Sequence, residues 1–248
     1  MTTFGGCELL ELNRIYNMDC MEGMDEIKPQ TIDAIITDPP YMINTKSDGQ
    51  GKLSPWADYC NGAWWYTAWI KKARKILKPT GCLWTFLNWR SFVTFQKAIC
   101  DARWSIESVL VWDKCWIGPG GDKGLRPSYE LVALLAMPEF KIEDRGLADI
   151  QRFKWSSIKP NGHPAEKPIS LMRWLITNST KEGQIVCDLF VGSGTTCAAA
   201  IETNRQFIGF ELDKTWYDAA CKRIEQHKAQ IRLFDIVPEP TEEQMKLI

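Results

Sequence analysis

The sequence predicts an α/β fold, a mostly parallel β-sheet with helices on both faces. Two observations carry this. Short apolar runs rich in β-branched residues alternate with stretches of helical periodicity. Two of those runs end in loops dense in proline or glycine, Asp38-Pro39-Pro40-Tyr41 and Phe190-Val191-Gly192-Ser193-Gly194. With 248 residues the chain is long enough for one large domain. The reading is one catalytic unit over residues 1–231, a loosely held tail over 232–248, and an irregular insert at 139–162.

Seven strands are expected, at 14–17, 34–37, 82–87, 106–112, 131–137, 185–189 and 207–211. The strands at 106–112 and 131–137 are joined by the glycine-rich, basic stretch 114–127, so they should pair antiparallel. The clearest helix spans 63–78. Trp65, Trp69, Ala73 and Ile76 fall on one face, with Tyr66, Ile70 and Leu77 beside them, and Pro79-Thr80-Gly81 stops it. A second helix opens after Gly194 and runs to Glu202. A third runs over 213–230 with Asp213 as its cap. Residues 42–61 read as a polar loop.

Composition removes several classes. The longest clean apolar run, 131–137, is far too short to span a membrane, and no leader pattern opens the chain. Nine cysteines with no C-x-x-C pair argue against a disulfide framework and against structural zinc. A reducing cytoplasm and no metal are the expectation. Net charge is −1, but residues 71–126 hold 11 Lys and Arg against 4 Asp and Glu. That +7 stretch reads either as a nucleic-acid face or as one solvated helix. The 12 tryptophans are mostly core candidates, although a protein that stacks bases has a use for some.

The segment 184–196 is a strand, a tight glycine turn and a helix start. Glu211 follows 19 residues after Gly192, the spacing at which an acid on the next strand reaches a ribose diol. The third glycine of a dinucleotide fingerprint is replaced by Cys197, and no lysine follows as in a phosphate loop. A nucleoside cofactor without phosphates fits better, with Asp188 placed to pair with a cationic group. At the other loop, the prolines fix the backbone and remove two donors. The Pro39 carbonyl and the Asp38 carboxylate are then two acceptors for the hydrogens of an exocyclic amine, and Tyr41 offers a stacking face. Acceptors so placed stabilise the positive charge that grows on nitrogen during alkyl transfer. Direct transfer needs no covalent nucleophile.

In order along the chain, Asn17-Met-Asp19-Cys20, Asp38-Pro-Pro-Tyr41, Leu77-Lys-Pro-Thr-Gly-Cys-Leu-Trp84, Trp112-Asp-Lys114, Tyr129-Glu130, His163-Pro-Ala-Glu-Lys167-Pro168 and Asp188–Thr196 resemble the motifs of the DNA amino-methyltransferases of adenine-N6 and cytosine-N4 type. The order is that of the permuted β-class, with the catalytic motif ahead of the cofactor motif. The resemblance implies a seven-stranded, mostly parallel, Rossmann-like methyltransferase sheet with an antiparallel hairpin strand. It implies S-adenosylmethionine as cofactor, held by Asp19, Cys20, Asp38, His163, Lys167, Pro168, Asp188, Phe190, Gly192, Ser193, Gly194, Thr195, Glu211 and Leu212. It implies double-stranded DNA as partner, with the insert at 139–162 as a short target-recognition region and a homodimer as one way to enlarge it. Lys46, Lys52, Lys114, Lys123 and Arg126 are the candidate DNA contacts. Asp rather than Ser at position 38 leans towards N6 of adenine. Cytosine N4, adenine in RNA and a non-catalytic nucleic-acid binder remain open alternatives. A protein amide goes with Asn at that position, so Asp38 argues against it, and a nicotinamide enzyme is disfavoured because the third glycine is replaced by Cys197.

Overall fold

The computed structural model describes residues 10–41, 46–47, 52–53, 63–118, 124–156 and 166–236. In chain order its elements are β1 (Arg14–Tyr16), α1 (Cys20–Asp25), β2 (Ile32–Thr37), β3 (Lys46–Ser47), β4 (Lys52–Leu53), α2 (Ala63–Ile76), β5 (Leu77–Leu87), α3 (Phe92–Asp101), β6 (Ser108–Asp113), β7 (Tyr129–Ala136), β8 (Ile150–Arg152), α4 (Ile169–Ser179), β9 (Ile185–Asp188), α5 (Thr195–Glu202), β10 (Gln206–Phe210) and α6 (Lys214–Ile236).

Eight strands form one sheet in the order β1-β10-β9-β2-β5-β7-β6-β8. β7 is antiparallel to both neighbours, and every other pairing in the sheet is parallel. All seven expected strands are present. The eighth, β8, lies in the insert at 139–162, where the sequence predicts no regular element. It pairs with β6 through Val111↔Ile150 and Asp113↔Arg152. Three residues at a solvent-facing edge carry no period that could announce a strand. Beside β8, Phe140, Ile142, Phe153 and Trp155 pack against the core, so the described part of the insert is docked on the sheet. Inside the expected loop at 42–61, β3 and β4 pair as a short antiparallel ribbon.

Side chains alternate between the two faces as a pleated strand requires. Leu83 and Leu87 of β5, with Ala133 and Leu135 of β7, meet the aromatic face of α2 and Phe95 of α3. Cys82, Trp84 and Phe86, with Val132 and Leu134, meet Leu171 and Leu175 of α4 and Ala198–Ala200 of α5. The predicted face of α2 is buried as expected, with Trp69, Ile70 and Ala73 fully shielded. That helix stops at Ile76, before the proline expected to end it. Leu77 already pairs with Ile32, and a register shift between Ile32 and Ala34 accommodates Pro79-Thr80-Gly81 inside the strand. The only buried acid on the first half of β2 is satisfied on both oxygens. Asp33 accepts from Lys78 Nζ at 2.8 Å and from the Ile185 amide at 2.9 Å.

Asp213 caps α6, accepting from the amides of Thr215 at 2.8 Å and Trp216 at 3.2 Å. The helix continues to Ile236, so the first residues of the expected tail are helical. No breaker stands before Pro238, and residues 237–248 lie outside the described part. No described helix is long and apolar enough to cross a membrane.

Candidate active site

β2 and β9 are neighbours and parallel, with Ala34↔Val186 and Ile35↔Cys187 in register. Their carboxyl ends therefore release two loops side by side, 38–41 and 189–194. Ligands of open α/β sheets bind at this place, where the strand order reverses. A buried bond joins the two roots. Thr37 Oγ1 donates to Asp188 Oδ1 at 2.8 Å and accepts from the Leu189 amide at 3.2 Å. The Phe190 amide also donates to Asp188 Oδ1, at 3.1 Å. Burial outweighs these hydrogen bonds and pushes the Asp188 carboxyl up to about 6.

The loops share a cavity of about 770 Å³. One end is built by the glycine turn. Gly192 and Gly194 have φ of 53° and 81°, the left-handed region in which glycine costs least. The carboxylate of Glu211 accepts from the Gly192 amide at 2.7 Å and the Asp213 amide at 2.9 Å, which orients it at the tip of β10. Each oxygen keeps a lone pair for a ligand hydroxyl. Burial raises the Glu211 carboxyl despite those amides. Asn17 donates to the carbonyls of Glu211 and Leu212 at 2.9 and 3.0 Å, tying β1 to the same edge. Asp19 lines this end and caps α1 through the Met21 amide at 2.7 Å.

The other end is built by Asp38–Tyr41. Tyr66 of α2 donates to the Pro40 carbonyl at 2.8 Å, anchoring the loop to the core. Asp38 Oδ2 accepts from Lys167 Nζ at 2.5 Å. Asp38 Oδ1 is buried and has no partner among the described residues. An unpaired buried carboxylate oxygen costs free energy unless a ligand donates to it. Glu130 Oε2 lies 3.1 Å from Lys167 Nζ, and Glu130 Oε1 lies 2.5 Å from Lys114 Nζ. The Tyr41 hydroxyl donates to Glu130 Oε2 at 3.5 Å, the long limit of such a bond. Burial alone would raise the Glu130 carboxyl. The ammonium groups of Lys167 and Lys114 outweigh it and hold Glu130 below its ordinary value. Burial, with the negative charges of Asp38 and Glu130, pushes the Tyr41 phenol well up. Trp116 and Trp155 also line the cavity, stacked with ring centres 4.3 Å apart.

Residues 32–222 match the family model described as DNA methylase, the N6/N4 methyltransferases. The chain belongs to the DNA amino-methyltransferases of the N6/N4 type.

The methyltransferase is 30% identical over 213 residues to YubD of Escherichia coli K12, covering 86% of this chain and 90% of that protein. Among solved structures it superposes on M1.HpyAVI in complex with S-adenosylmethionine with a TM-score of 0.66 at 24% identity, over 85% of this chain and 98% of that one. It superposes on the cytosine-N4-specific PvuII DNA methyltransferase with a TM-score of 0.68 at 18% identity, over 88% and 91% of the two chains. At these identities the superpositions speak for the fold.

The structure brings Asp38, Pro39, Pro40 and Tyr41 together with Asp19, Cys20, Lys167, Asp188, Phe190, Gly192, Ser193, Thr195, Glu211 and Leu212 around this cavity. Gly194 caps α5 and Pro168 caps α4, both just behind the lining. His163 and Lys123 lie outside the described residues. Lys46 and Lys52 sit on the β3–β4 ribbon. Lys114, read as a DNA contact, instead points inward to Glu130 with its side chain 15% exposed. Arg126 braces its own loop through the carbonyls of Gly118 and Ile117. Much of the basic stretch is paired in the same way: Lys72 with Asp25, Lys78 with Asp33, Lys97 with Asp101. These lysines lie on three different elements, α2, β5 and α3, so ion pairing and not one solvated helix accounts for that part of the charge.

Sequence reasoning missed Thr37 as the bond between the loops, Glu130 as the partner of both lysines, and the Trp116–Trp155 stack. Glu130 had a signal: it is the one acid in β7, beside an otherwise apolar run. It also missed Arg223 of α6, which donates to Thr195 Oγ1 at 2.9 Å and the Ser193 carbonyl at 3.2 Å, and pairs with Glu166 at 3.2 Å.

Proposed function

We propose that this methyltransferase methylates N6 of adenine in double-stranded DNA, by direct transfer from S-adenosylmethionine to a base turned out of the helix. The observation that carries the reading is Asp38, whose Oδ1 is a buried acceptor with no partner among the described residues, lining the same cavity as the Gly192–Glu211 turn. The cofactor fits the turn end: Glu211 and Asp19 offer acceptors for hydroxyl and amino groups, and Asp188 offers negative charge for a cation. When bound, S-adenosylmethionine supplies a methyl group on a sulfonium, whose C–S bond breaks as the N–C bond forms.

The protein's part is to hold the nucleophile. Asp38 Oδ1 accepts one hydrogen of the amino group and the Pro39 carbonyl accepts the other, which turns the nitrogen lone pair out of conjugation and towards the methyl carbon. As positive charge develops on nitrogen, these acceptors stabilise it, and Asp38 takes the proton that leaves afterwards. Tyr41 stacks on the base, and the Trp116–Trp155 pair supplies further aromatic surface at the same cavity. Asp at position 38 supports adenine over cytosine.

The test is transfer of a labelled methyl group to DNA of mixed sequence, followed by digestion and identification of the modified nucleoside. N6-methyladenine is expected, and N4-methylcytosine or label confined to RNA would overturn the substrate assignment. In Asp38→Ala, transfer should fall at least about 100-fold with S-adenosylmethionine affinity nearly unchanged. A variant that loses affinity and keeps its turnover would remove Asp38 from the reacting centre.

A further inference from the structure

Asp38, Glu130, Lys114 and Lys167 form a cluster with no net formal charge, drawn from four separate segments. Lys167 stands at its centre, between two carboxylates, with its side chain 8% exposed. An ammonium so buried is tolerated only when paired. Burial would lower it, but the carboxylates of Asp38 and Glu130 prevail and keep it protonated. Lys167 also stands 4.9 Å from the Phe86 ring centre, packed over an aromatic face that limits its movement. Glu130 is fixed from the far side by Lys114.

A carboxylate can rotate about its Cβ–Cγ bond and present either oxygen. Here one oxygen of Asp38 is engaged by Lys167, and the other is buried with no hydrogen-bond partner among the described residues. We propose that Lys167 and Glu130 are positioning residues for methyl transfer: Lys167 clamps Oδ2 of Asp38 so that Oδ1 is the acceptor shown to the substrate's amino group, and Glu130, held by Lys114, keeps Lys167 in place. The role of the clamp in turnover rests on the reading of Asp38 above. Its geometry does not. The inference moves Lys167 from the cofactor, which the sequence motif alone would have it hold, to the carboxylate that receives the amine.

The clamp acts on orientation, so its loss should appear in turnover and not in cofactor affinity. A misplacement of about 1 Å at a reacting group costs on the order of 100-fold. The experiment measures kcat at saturating S-adenosylmethionine, cofactor Kd by calorimetry, and crystal structures, for Lys167→Met, Lys167→Arg and Glu130→Gln. For Lys167→Met, kcat should fall about 100-fold with Kd within about twofold, and the Asp38 carboxylate should turn away from its present rotamer. Lys167→Arg, which keeps the charge, should recover at least about a tenth of wild-type kcat. Glu130→Gln should lose about tenfold in kcat at unchanged Kd.

A Kd raised tenfold or more in Lys167→Met, with kcat at saturation within threefold of wild type, would overturn the proposal and return Lys167 to the cofactor. Wild-type kcat in Glu130→Gln would remove Glu130 from the clamp. If the wild-type protein methylates no DNA base, the substrate reading fails. The Asp38 rotamer and the cofactor Kd of Lys167→Met then decide the clamp separately, an unturned carboxylate counting against it.

Discussion

Replacing Asp188 by Asn should make the protein more stable and a poorer cofactor binder. The side chain is buried at the tip of β9, where burial lifts its carboxyl from an ordinary 3.8 to about 6. At 1.36 kcal/mol per pH unit, keeping it ionised at neutral pH costs the fold about 3 kcal/mol. Because the folded value is the higher one, this group favours the fold below pH 3.8, and that advantage is lost as pH rises through about 6. Asparagine keeps an oxygen for Thr37 and Phe190 and never ionises. Its stability advantage over wild type should therefore approach about 3 kcal/mol at pH 7, less any hydrogen-bond mismatch, and vanish near pH 4. Cofactor affinity runs the other way. A cationic ligand binds the carboxylate form, so wild-type Kd should be about tenfold weaker at pH 5 than at pH 7. Asp188→Asn should bind about 10- to 100-fold more weakly at pH 7, with that pH dependence gone. Urea unfolding at pH 4, 5, 6 and 7 and calorimetry with S-adenosylmethionine measure both. A stability difference that does not change with pH, or equal pH slopes of Kd in the two proteins, would refute the reasoning.

Two further perturbations probe the same edge. Glu211→Ala should weaken cofactor binding by about 1.5 to 3 kcal/mol, the value of hydrogen bonds to a charged group, while kcat at saturation holds; unchanged affinity would move Glu211 out of the site. At Gly209→Ala the new methyl would stand 2.5 Å from Val191 Cγ2 and 3.2 Å from Cys197 Sγ, directly behind the glycine turn. It should cost about 1 to 3 kcal/mol in unfolding free energy and also weaken the cofactor, and wild-type values of both would show that the turn yields freely.

The parts of the site that were legible in the sequence are those written in consecutive residues. Asp38–Tyr41 and Phe190–Gly194 each combine a strand end, a special backbone and a chemically suited side chain, all visible in consecutive residues. The expected strands appeared because alternation and apolar runs survive in buried, central positions. What could not be read were the contacts across segments. Nothing local says that Lys167 reaches Asp38, or that Lys114 turns inward to Glu130 when its neighbours in the basic stretch look like a DNA surface. Such pairings depend on which strands are adjacent, a global property. β8 escaped for the opposite reason: an edge strand of three partly exposed residues is held by its neighbour's free backbone groups and needs no pattern of its own.

The Asp38–Tyr41 segment precedes the Phe190–Gly194 segment in the chain, yet in the fold the two stand side by side. What the proposed reaction requires is two acceptor-bearing loops held at fixed separation, and a sheet meets that requirement through adjacency of strands. β2 and β9 stand side by side although their ends are 151 residues apart, and the Thr37–Asp188 bond closes the seam between them. Both strands are shielded at every position from Ile32 to Thr37 and from Val186 to Asp188. Roots so buried open only with the core itself. In the proposed reaction, Asp38 as amine acceptor, one residue beyond Thr37, and the cofactor turn that begins at Gly192, four residues beyond Asp188, would both be carried on these buried strand ends.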